Sequence, residues 1–107
     1  MARVTLLSVD GCPNAPSVHT SLRSLAAELG FDLEHRRVAS SAEAEHLGFP
    51  GSPTVLIDGR DPFRASAGTG LSCRLYATED GLRGIPPRKE LREALRAATD
   101  TSLRGSE

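Results

Sequence analysis

Two cysteines, Cys12 and Cys73, are the residues of this chain whose chemistry is nucleophilic or soft-metal-binding. Cys12 follows the run Val4-Thr5-Leu6-Leu7-Ser8-Val9, which breaks at Asp10-Gly11, and it precedes Pro13 at the start of an expected helix. A thiol at a helix N-terminus meets unpaired backbone N–H groups and the positive end of the helix dipole, both of which favour thiolate over thiol. Cys12 is therefore the candidate nucleophile. Asp10 opposes its ionisation, because a nearby carboxylate disfavours a second negative charge. The alternative for the same residue is a buried, inert cysteine.

Other residues are read as structural. His19, His35 and His46 form no pair with metal-ligand spacing and are expected at the surface, so no hard-metal or zinc site is expected. Asp58-Gly59 is first a turn signal. Serine, aspartate and histidine are present, but no Gly-x-Ser-x-Gly elbow presents a serine nucleophile. No cofactor is expected.

The elements that must position Cys12 follow from pattern. Arg3 to Val9 reads as a buried strand, short and nearly continuous in apolar residues. Val18, Leu22, Leu25, Ala26 and Leu29 recur at helical spacing and predict a helix from Pro13 to Leu29, closed by Gly30. Phe31 to Val38 is an edge strand whose charges discourage further pairing. Ser40 and Glu43 have capping-box spacing and predict a short helix ending at Gly48. Thr54 to Ile57 is a third strand closed by Asp58-Gly59, and Leu71 to Ala77 a fourth, followed by a turn at Glu79-Asp80-Gly81. Pro87 opens a last helix with Leu91, Leu95 and Ala98 on one face. The order is βαβαββα, without internal repeats.

Composition bounds the rest. A chain of 107 residues with 38% apolar content is one compact α/β domain, assigned to residues 1–99 with a disordered tail over 100–107. A net charge of −1, no Lys/Arg cluster, one tyrosine and three phenylalanines argue against a nucleic-acid surface. No apolar run is long enough for a signal peptide or a bilayer span, so no membrane partner is expected and a cytoplasmic location is. There, two cysteines are reduced or cycling rather than permanently bridged.

A first strand running into Cys12, a Gly51-Ser52-Pro53-Thr54 segment entering the third strand, and a final helix together resemble the thioredoxin superfamily across residues 3 to 98. The resemblance implies a four-stranded mixed sheet flanked by helices. It also implies a cis Pro53 beside Cys12, with Ser52, Pro53, Thr54, Asp10 and Pro13 shaping a substrate groove. The motif departs from the two-cysteine pattern: it reads Cys12-Pro13-Asn14-Ala15, so no local thiol resolves a mixed disulfide. An external thiol such as glutathione, or Cys73, is left for that task. A plain hairpin would start the fourth strand about 15 Å from Pro53, five residues at roughly 3.3 Å each. The Arg60 to Gly70 insertion is long enough to carry the chain back.

The same residues resemble, more locally, the catalytic part of organomercurial (alkylmercury) lyases. A cysteine at a helix start, a Gly-small-Pro segment and a second cysteine before an apolar strand match Cys12, Gly51-Ser52-Pro53 and Cys73-Arg74-Leu75-Tyr76. Two thiolates suit a soft metal. In the lyases an acid follows the first cysteine by three residues, where this chain has Ala15. The expected function is a thiol-dependent oxidoreductase, with Cys12 as nucleophile and Cys73 as distal partner, acting on a thiol or disulfide substrate, glutathione or a partner protein. The alternatives are an alkylmercury-lyase-like or mercury-binding protein and a non-catalytic thioredoxin-fold binding module.

Overall fold

The computed structural model describes residues 2–63, 70, 71 and 74–105. The chain runs β1 (Arg3–Ser8), α1 (Ala15–Leu29), β2 (Asp32–Arg37), α2 (Ser41–Leu47), β3 (Thr54–Ile57), β4 (Tyr76–Thr78), β5 (Gly81–Arg83) and α3 (Arg88–Gly105). It is a small α/β fold around a mixed sheet of order β2-β1-β3. β1 pairs parallel with β2, Leu6 opposite His35, and antiparallel with β3, Leu7 opposite Thr54.

β1 carries buried apolar residues on both faces, Val4 and Leu6 on one and Leu7 on the other. Val4 and Leu6 pack with Val18, Leu22 and Leu25 of α1 and with Leu91 and Leu95 of α3. Leu7 points the other way, into a second cluster with Val38, Ala44 and Phe49. Burial of each such leucine is worth about 1.5–3 kcal/mol, so docking onto the sheet rather than helix propensity holds α1 in place. β2 is the charged, largely exposed edge.

Local signals close the elements. Gly30 ends α1 at φ 76°, its N–H donating to Ala26 O. Ser40 Oγ caps α2, accepting from Glu43 N at 3.1 Å. Asp58 and Gly59 take positive φ values of 51° and 83°, as a two-residue reversal requires, and Ile57 and Arg60 exchange backbone hydrogen bonds across it. Asp58 Oδ1 also accepts from Arg3 N at 2.9 Å, which makes Asp58 a structural carboxylate.

Several features differ from the sequence reading. α1 begins at Ala15 rather than Pro13. The main sheet has three strands, not four, among the described residues. The fourth strand, expected at Leu71 to Ala77, forms at Tyr76–Thr78 and pairs with β5 in a separate hairpin. Arg74 N–H donates to Ser52 O at 2.9 Å and its guanidinium is buried against Asp61, so Arg74 braces the segment that enters β3. α3 continues to Gly105, past Asp100 where the sequence suggests fraying. Among the described residues no helix is long and apolar enough to cross a membrane.

Candidate functional site around Cys12

The end of β1 turns sharply into the Cys12 loop. Cys12 N–H donates to Val9 O at 3.3 Å, and Gly11 inside this turn has φ 76°, a conformation that costs glycine least. Pro13 and Asn14 then separate the thiol from the first helical residue, Ala15. Cys12 therefore lies just ahead of α1 rather than within its first turn. Pro13 is exposed. Asn14, at the N-cap, makes no side-chain capping bond and packs against Gly84 beyond β5.

Cys12 is 7% exposed and borders a pocket of about 440 Å³. Ser8, Asp10, His19, His35 and Arg37 share that pocket. Asp10 turns outward and pairs with Arg37 at 3.1 Å, so its negative charge is offset beside the thiol. His35 Nε2 lies 2.7 Å from Ser8 Oγ, and its ring centroid is 4.9 Å from that of His19. Partial burial, and next the charge of His19, lower the His35 imidazole from its ordinary value of 6.5. A larger pocket of about 660 Å³ lies between the β4–β5 hairpin and the start of α3. It has neither thiol nor imidazole among the described residues.

Ser52, Pro53 and Thr54 stand behind the loop with buried side chains. The Ser52–Pro53 bond is cis, the geometry that the resemblance implies. Ser52 Oγ accepts from Val9 N at 3.2 Å. Thr54 Oγ1 donates to Gly51 O at 2.6 Å and accepts from Arg74 at 3.2 Å. The carbonyls of Gly51, Ser52 and Pro53 accept from Thr54, Arg74 and Tyr76, so backbone as well as side chains is engaged in holding this segment.

A buried polar network backs the segment. The Arg74 guanidinium is 3% exposed, pairs with Asp61 at 2.6 Å and donates to Phe63 O at 3.2 Å. It also lies 4.2 Å from the Tyr76 ring centre. Tyr76 OH donates to Pro53 O. Burial pushes the Tyr76 phenol well above its ordinary value; Arg74 and the hydrogen bond with Thr54 pull it down, while Asp61 and Cys12 push it further up.

Cys73 lies outside the described residues. Among those described, no group of three or more His, Cys, Asp or Glu side chains converges to hold a metal ion. The sequence reading missed His19, His35 and Arg37. The available signal was modest: His19 follows Ala15 by one helical turn, and His35 has the same strand parity as Leu33.

No protein-family model matches the chain, and no curated protein matches it.

Proposed function

We propose that this chain is a thioredoxin-like domain that performs thiol–disulfide exchange on a small-molecule disulfide, with Cys12 as nucleophile. The observation that carries the reading is the position of Cys12 on an open pocket, on a loop tied by the Val9–Ser52 hydrogen bond to the segment entering β3. The parallel β1–α1–β2 unit with an antiparallel β3 supports the thioredoxin-like part of it. At 7% exposure the thiol is reached through the pocket, which suits a small disulfide better than a folded protein surface.

In the first step the Cys12 thiolate attacks one sulfur of R–S–S–R′, the S–S bond breaks, and R′–S⁻ departs, leaving Cys12 joined to R through a disulfide. Ala15 supplies no resolving thiol. A second, external thiol such as glutathione completes exchange by displacing Cys12 from R. Cys73 is the intramolecular candidate for the same step, which mild diamide oxidation with peptide mass spectrometry tests by the presence or absence of a Cys12–Cys73 bridge.

A glutathione-coupled disulfide assay tests the main reading. Cys12→Ser retains the fold and abolishes turnover; turnover equal to wild type shows that Cys12 is not the nucleophile. A wild-type protein with no turnover and an unreactive Cys12 supports the binding-module alternative.

A further inference from the structure

We infer that His19 and His35 form the proton-transfer pair of the Cys12 site, protonating the thiolate that leaves when Cys12 attacks a disulfide. This rests on the reading of Cys12 as nucleophile and adds the part which that reading lacks. The rate of exchange depends on the acidity of the departing thiol, so a basic alkyl thiolate leaves more slowly than an acidic one and gains most from a proton delivered to it. Imidazole is the side chain suited to that task near neutral pH.

Geometry brings the two rings together from separate elements. His19 comes from α1, one turn beyond Ala15, and His35 from β2; their centroids are 4.9 Å apart on the pocket that Cys12 borders. Ser8 Oγ, from β1, lies 2.7 Å from His35 Nε2 and holds that ring. The titratable and charged side chains lining the pocket are Asp10 and Cys12 from the turn, His19 from α1, and His35 and Arg37 from β2. Asp10 and Arg37 are paired with each other at 3.1 Å, which leaves the imidazoles to move the proton.

An imidazolium is an acid and a neutral imidazole is a base, so two rings on one pocket serve both steps of the exchange. In the forward step imidazolium gives its proton to R′–S⁻, releasing R′–SH and neutral imidazole. In the second step imidazole takes the proton of the incoming thiol, whose thiolate attacks the mixed disulfide and restores the Cys12 thiolate. Protons and electrons balance over the cycle, and the external thiol is the only co-reactant.

Leaving-group dependence tests this. Adduct formation at Cys12, assigned by peptide mapping, is timed for wild type, His19→Gln and His35→Gln with two neutral disulfides. Bis(2-hydroxyethyl) disulfide releases a basic thiolate that needs a proton, whereas bis(4-nitrophenyl) disulfide releases an acidic one that does not. At pH 7 each variant slows the first reaction by about tenfold or more, a modest share of general acid catalysis, and leaves the second within about twofold. Each also flattens the dependence of the first rate on pH. Equal slowing with both reagents, or none with either, overturns the inference while Cys12 remains the nucleophile. Failure of wild-type Cys12 to react with either reagent removes the underlying reading instead.

Discussion

The backbone N–H of Val9 donates to the hydroxyl of Ser52 across 3.2 Å, joining the last turn before Cys12 to the segment that enters β3. Ser52 is fully buried, so no solvent replaces its oxygen when it is removed. Ser52→Ala is expected to cost about 1–3 kcal/mol, the range for leaving a buried polar group without its partner. Chemical denaturation measures this. Because the bond also fixes the Cys12 loop, the alkylation rate of Cys12 changes with it.

Asp61 carries a larger share of stability. It is the counter-ion of an Arg74 guanidinium that is 3% exposed, and removing one member of a buried pair leaves the other charge uncompensated. Asp61→Ala is expected to destabilise the fold by roughly 3 kcal/mol, at the lower end of the range for buried pairs because Asp61 itself is 20% exposed. Replacement of both residues, Asp61→Leu with Arg74→Met, recovers much of the loss. Urea denaturation of the single and double variants measures both effects.

Gly84 sets the position of Asn14. A Cβ added at Gly84 would stand 2.3 Å from Asn14 Nδ2 and 2.9 Å from Cγ, so the Asn14 side chain must move. Because that amide is the end of a side chain at the surface, the stability cost of Gly84→Ala stays within about 1 kcal/mol. The change is felt two residues away, as an altered rate of Cys12 labelling by iodoacetamide at fixed pH.

Much of the scaffold is written locally. The strand at Val4 to Leu7, the spacing of Val18, Leu22 and Leu25, the Ser40 cap and the Asp58-Gly59 turn each depend on neighbouring residues and appear as read. The failures are tertiary. Arg74 sits in a run that reads as a strand, and its pairing with Asp61, thirteen residues earlier, is a contact that the strand pattern does not express. Pro13 reads as the opening of α1, but the turn made by Gly11 uses Cys12 N–H before the helix begins. His19 and His35 meet because β2 lies parallel beside β1 under α1, a relationship that metal-ligand spacing along the chain does not express.

His35 makes stability depend on pH in a definite direction. Its pKa in the folded chain is lowered, first by burial and then by His19, so the unfolded chain binds its proton more readily. The stabilisation is fully present above the ordinary value of 6.5 and is lost as pH falls from there through the folded-state pKa. The effect is small because the ring is largely exposed. Thermal denaturation between pH 5 and pH 8, spanning the interval in which histidine titrates, is expected to show a melting temperature that falls on acidification. His35→Gln has a flatter profile over the same interval.

The most direct measurement is the intact mass of the reduced protein after exposure to excess glutathione disulfide at neutral pH, with the adduct located by peptide mapping. One glutathione on Cys12, released by dithiothreitol and absent from a folded Cys12→Ser variant, is the predicted result. A native protein that stays unmodified, or that carries the adduct on Cys73 while Cys12 remains a free thiol, contradicts the assignment of Cys12 as nucleophile.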